Sequence, residues 1–161
     1  MVRTWRHLPP QARAVAVTAV AAVEAAGDRD AARYDEAVEA LAALDPERVG
    51  LVLSGVVRLL LEASHPDGLT GEDAQLVLTR CVRSAAGWQP DVDVDVLVRL
   101  LTGALGVHPP EEQAGPPQPV EVARHAPLLV VDLVAAAGVP FADTLTAALT
   151  EIERDQVMDL P

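Results

Sequence analysis

Between Trp88 and Leu101 the chain reads WQPDVDVDVLVRLL, with carboxylates at Asp91, Asp93 and Asp95. Alternate carboxylates suit a divalent-cation loop, and a single well-placed aspartate suits phosphoryl acceptance. A calcium loop counted from Asp91 needs glycine at its sixth position for the turn and glutamate at its twelfth as bidentate ligand. Val96 and Thr102 stand there instead. A phosphoryl-accepting aspartate would end a buried strand, which Trp88-Gln89-Pro90 does not provide. A strand over 91–96 would put the three acids on one face, but its backbone groups would have no partner among helices. From Val96 onward Leu97, Leu100, Leu101, Ala104 and Leu105 follow helical spacing. The aspartates therefore read as a helix start, with Asp91 or Asp93 as cap and the remaining carboxylates against the positive end of the helix dipole.

The other chemistry-bearing side chains resolve in the same direction. His65 and His108 each precede a proline just after a helix, where an imidazole meets the last carbonyls. His7 and His125 have no ligand at metal spacing. Cys81 falls on the apolar side of its helix, which describes a buried, inert thiol. Ser54 lies inside an apolar helix, Ser64 and Ser84 lie near helix ends, and no nucleophile elbow surrounds any of them. The glycines form neither a phosphate loop nor a dinucleotide fingerprint. The carboxylate pairs Glu72/Asp73 and Glu111/Glu112 are adjacent on polar segments, as on a solvated surface. No catalytic residue, metal site or cofactor is expected. Arg58 is the only charge between Val49 and Leu61. It reads as an arginine whose stem is buried and whose head reaches the bundle rim, or else as an anion anchor between helices.

Composition narrows the partners. The chain has 161 residues, half of them hydrophobic, and a net charge of −12. An acidic body without a basic stripe or stacking aromatics argues against nucleic-acid binding. Lysine and asparagine are absent, so every side-chain cation is arginine. These missing residues share AT-rich codons, which points to a high-GC, bacterial genome. One cysteine excludes an internal disulfide and suits a reducing compartment. Arg3, Arg6 and Arg13 precede the Ala/Val run 14–26, which faintly imitates a secretion leader. The Pro9-Pro10 break and Glu24 argue against that, and no apolar run approaches the ~20 residues of a membrane span. A cytoplasmic protein with no membrane association is expected.

The positioning elements are helical throughout. Pro9 to Gly27 opens on prolines and closes on glycine. Over 28–44, Tyr34, Val38, Leu41 and Leu44 share a stripe, with Asp35, Glu36 and Glu39 opposite. Asp45 caps a helix opened by Pro46 that is apolar nearly all round and so belongs at a bundle centre. There Gly50 and Ser54, four residues apart, permit close approach of a neighbour. Thr70 and Asp73 form a capping box for a helix burying Ala74, Val77, Leu78, Cys81, Val82 and Ala85. Residues 120–126 read as a short helix, Pro127 restarts a second one as far as Gly138, and a last helix buries Phe141, Leu145, Leu149 and Ile152.

The expected fold is an all-α compact bundle of about seven helices in one domain. It has a main body over 1–108, a proline-rich connector over 109–119 and a C-terminal helical pair over 120–161 packed on the body. HEAT-like helical pairs are the alternative arrangement. The VRLL elements of the segments Asp45 to Pro66 and Gln89 to Pro109 are 41 residues apart, and a fainter third copy spans Ala126 to Pro140. The expected function is a non-enzymatic protein–protein interaction module, an adaptor, regulator or inhibitor. Trp88, Trp5 and Arg6 are its candidate anchors, since these residue types dominate interface energetics. The alternatives are a small-ligand binder or enzyme with a site between helices around Arg58, and a structural homo-oligomer. Replacing Asp93 by asparagine, itself a good cap, should cost at most about 1 kcal/mol. Calorimetry with and without calcium should show the same melting temperature for both proteins.

Overall fold

A computed structural model describes residues 5–107 and 117–158, and over these the chain is an all-α bundle of seven helices with no strand. The helices are α1 (Pro10–Gly27), α2 (Ala31–Ala42), α3 (Pro46–Ser64), α4 (Gly71–Ala86), α5 (Val94–Ala104), α6 (Pro119–Ala137) and α7 (Phe141–Met158). Most of the expected connector, with His108, Glu111 and Glu112, lies outside the described residues, as does Arg3.

The helix starts follow local chemistry. Asp30 accepts from the Arg33 amide at 3.1 Å, and Asp45 accepts from Glu47 at 3.3 Å with Pro46 as the first helical residue. Thr70 and Asp73 form the reciprocal box, at 3.1 and 3.0 Å. Hydrogen bonds from Thr70, the backbone amide first and then the side chain, hold the Asp73 carboxyl below its usual pKa of 3.8. A carboxylate depressed on folding favours the native state above its unfolded pKa, and that contribution fades as the pH falls below it. α1 does stop at Gly27, yet the left-handed residue of the turn is Arg29, with φ 54°. Its amide and that of Asp30 close the turn on the carbonyls of Ala26 and Ala25.

Two helices occupy the middle. α3 packs on α6, α7, α5 and α1, whereas α6 packs on α3, α2, α1, α4 and α5. One apolar cluster runs through all seven helices from Trp5 to Leu149. The segment after residue 119 is thus woven into the core, with α6 at its centre and α7 laid against α3 and α1.

Pro127 does not restart a helix, contrary to the sequence expectation: α6 runs through it without a break. An internal proline removes one backbone donor, crowds the preceding turn and costs about 3 kcal/mol in an ordinary helix. Here burial opposes that cost, because Ala123, Ala126, Leu128, Leu129, Val130 and Leu133 are all in the core. A side-chain hydrogen bond also ties this turn to α2. The buried Tyr34 hydroxyl of α2 donates to the Arg124 carbonyl, in the turn that the proline ring crowds. Burial pushes the Tyr34 phenol well above its ordinary pKa, which keeps the donated proton in place. Trp88 stands edge-on to the same ring, with centroids 5.1 Å apart.

His125, one residue further along α6, ties down α5. Its Nδ1 lies 2.8 Å from the Glu121 carbonyl and its Nε2 lies 2.9 Å from the Asp93 amide nitrogen. A carbonyl only accepts and an amide only donates, so the ring is the neutral Nδ1–H tautomer. Asp93 itself caps α5 by accepting from Asp95 at 3.0 Å.

Tyr34→Phe removes the donor and keeps the ring. It should lower the unfolding free energy by about 1–3 kcal/mol, because a buried hydrogen bond between α2 and α6 is lost. Urea titration should show an earlier midpoint with an unchanged slope.

Candidate functional site

Several of the residues singled out for chemistry are engaged in holding the fold together. Asp91, Asp93 and Asp95 are exposed around the start of α5, where Asp93 is the cap. Among the described residues, no three His, Cys, Asp or Glu side chains come together as a metal-holding group. His65 caps α3, with Nδ1 3.1 Å from the Leu61 carbonyl. His7 is exposed and His125 is committed at both ring nitrogens.

Cys81 is buried on α4. Burial first, then the neighbouring Asp132 carboxylate, pushes its thiol up to about 12, against a weaker opposing pull from Arg80. Arg80 grips Asp132 of α6 through two nitrogens, at 2.8 to 3.1 Å, and so pins α4 to α6. A thiol held that high is neither nucleophile nor metal ligand near neutral pH.

Arg58 of α3 donates to Glu62, one turn on, and to Glu151 of α7. An anion arriving at this guanidinium would compete with two carboxylates already in place. Trp5 is only 6% exposed and belongs to the core cluster. Trp88 is half-buried against Tyr34, and Arg6 is exposed. The structure does not bring Trp5, Trp88 and Arg58 together at a common cavity.

What the bundle does form is a groove on the outer side of α3. The residues Glu47, Leu51, Ser54, Arg58 and Glu62 follow one another at three- and four-residue steps, so they share a face. Leu51 is the one large apolar side chain in that otherwise polar row, and it is 53% exposed. On one side of it an open groove of about 460 Å³ runs between α3 and α7, over Gly50, Ser54, Gly55 and Ala148. Close approach is built into that floor: a Cβ added at Gly55 would stand 3.5 Å from the Ala148 Cβ.

On the other side a cavity of about 260 Å³ opens between the starts of α1 and α3 and the end of α7. Leu8, Ala12, Val52 and Leu149 give it an apolar lining, and Glu47, Leu51 and Ile152 line both hollows. Arg48 lines the second hollow. Its Nη2 donates to Gln11 at 3.3 Å, while its buried Nε has no hydrogen-bond partner among the described residues. A buried donor left unmade costs about 1–3 kcal/mol.

Leu51 and Arg48 are absent from the sequence expectations, and Ile152, expected in the core, is half-buried and lines both hollows. One signal was present: a helix apolar nearly all round needs cover on every side, and Leu51 interrupts the row of α3 that faces out. The hollows themselves had no signal, since they arise where α1, α3 and α7 meet. Val94 and Val98 of α5, and Leu105 just after it, are further exposed apolar side chains.

No single helix among the described residues is long and apolar enough to cross a membrane. α6 and α7 meet that test only as a pair bent by 114°. No protein-family model, curated protein or solved structure matches this chain.

Cys81 should resist alkylation in the folded protein from pH 7 to 9 and react once denaturant unfolds it. Mass spectrometry of pulse-labelled samples along a urea series should place labelling on the unfolding transition. Between the ordinary thiol value of 9 and about 12 the native state holds the extra proton, so stability should fall as pH rises through that interval.

Proposed function

We propose that this protein is a non-enzymatic protein-interaction module, an adaptor, regulator or inhibitor, that docks a partner in the groove between α3 and α7. The observation that carries this reading is Leu51: a large apolar side chain, more than half exposed, at the junction of two hollows with apolar floors. Contiguous apolar surface with a polar border is the usual anatomy of a docking site.

A small-ligand site is less well supported. The more enclosed hollow, at about 260 Å³, is smaller than the ~300–1,000 Å³ typical of ligand pockets. The side chains nearest to reactive chemistry are committed to caps and ion pairs. Trp88 and Trp5, two of the three expected anchors, spend most of their surface inside the bundle, and this reading gives the central anchoring role to Leu51, with the exposed Arg6 outside the groove. A reducing cytoplasm suits this module, whose one thiol is unpaired and unreactive. The acidic body remains a poor match for nucleic acid.

The experiment is affinity capture from lysate of the native cell with the wild-type chain and with Leu51→Arg in parallel. Leu51 is exposed, so circular dichroism and melting temperature should be unchanged. A stoichiometric protein retained by the wild type and lost from Leu51→Arg is the expected result. Equal retention by both would remove the groove from the interface.

A further inference from the structure

We propose that the occupant of the α3–α7 groove is a cationic amphipathic helix of a partner protein. The inference rests on the interaction reading above and adds the chemistry of the partner.

The helical form follows from what the groove lacks and what it offers. Among the described residues there is no strand whose edge an extended peptide would lengthen. Recognition of a proline-rich peptide uses aromatic walls, and neither hollow is lined by an aromatic side chain. What lies open is a trough between α3 and α7, with Gly50, Ser54 and Gly55 keeping its α3 wall low. A third helix fits such a surface by laying its own ridge between the two.

The charge follows from the rim. Five carboxylates line the two hollows, at Asp45, Glu47, Glu151, Glu153 and Asp155, against the guanidiniums of Arg48 and Arg58. Arg58 is already neutralised by Glu62 and Glu151. The surface left around Leu51 and Ile152 is therefore apolar in the middle and negative at the edge. Its complement is a helix with a narrow apolar stripe flanked by lysine or arginine. A second copy of this chain is a poor occupant, because a two-fold contact here would set each acidic rim against its equal in a protein of net charge −12. An anionic membrane is repelled for the same reason.

The test uses fluorescent model helices of about 18 residues, long enough to span the groove. All share one leucine stripe, and the remaining face is lysine, glutamine or glutamate. In fluorescence anisotropy the lysine helix should bind about tenfold or more tightly than the glutamine helix, and should weaken as salt rises. Leu51→Arg should weaken it by about tenfold or more, as loss of a central anchor does. The triple variant Glu47→Gln, Glu153→Gln, Asp155→Asn should do likewise and flatten the salt dependence. Neutralising three exposed acids elsewhere, Glu24→Gln, Glu36→Gln and Glu39→Gln, should change affinity by less than about twofold.

Equal weakening by the two triple variants would overturn the proposal, since attraction would then be to overall charge. Glutamine-helix binding as tight as lysine-helix binding, and lost in Leu51→Arg, would overturn the cationic partner while leaving the groove as a docking site. Binding of none of the helices, or binding indifferent to Leu51→Arg, would overturn both.

Discussion

A continuous helix with a proline in its interior lies at the centre of this protein, and the surrounding packing answers that fact. α6 carries Pro127 among its most buried residues, flanked by leucines and valines that only the core can satisfy. The apolar surface drives α6 inward, where an imperfect hydrogen-bond ladder is hardest to tolerate. Tyr34 from α2 donates a hydrogen bond to the Arg124 carbonyl, and His125 bridges from the Glu121 carbonyl to the amide of Asp93, the cap of α5. Arg80 of α4 closes on Asp132 further along. The central helix is thus tied by polar contacts to α2, α4 and α5, and these contacts fix how the outer helices sit around it.

That arrangement explains why so much apparent chemistry is structural. A carboxylate, an imidazole and a thiol are each useful in catalysis when positioned with a free valence toward substrate. Here Asp93 faces an amide, both ring nitrogens of His125 are occupied, and Cys81 is buried beside a carboxylate. Arginine follows the same pattern at Arg58 and Arg80, whose guanidiniums join helices distant in sequence. The bundle uses its reactive groups as fasteners, a natural recourse when large aromatic side chains are so few.

The second central helix, α3, is covered by α6, α5, α7 and α1 but not on its outer row. Small residues at Gly50, Ser54 and Gly55 leave a trough rather than a ridge beside Leu51, with Ala148 of α7 against Gly55. Acidic residues gather at its rim because the ends of α3 and α7 adjoin there. Apolar floor and negative rim together define the complement that a partner must present, and this is the physical content of the proposed function.

Much of the fold was legible in the sequence. Helical periodicity announced α2, α4, α5 and α7 with their buried faces. Short polar side chains at Asp45, Thr70 and Asp93 marked three helix starts, because an unpaired first-turn amide calls for a nearby acceptor in any context. The unbroken apolar character of α3 marked it as central. Continuity of α6 through Pro127 was not legible, since local propensity argues for a break and only burial with Tyr34 overrules it. Nor was the pairing of Tyr34 with Arg124, 90 residues away. The groove around Leu51 belongs to the same class: exposure is a property of what other helices leave uncovered. Sequence by itself determined where helices begin, which faces are apolar and how negative the surface is, because these depend on neighbours in the chain. Tertiary structure alone decided which polar groups are consumed and which apolar side chain is left outside, because these depend on neighbours in space.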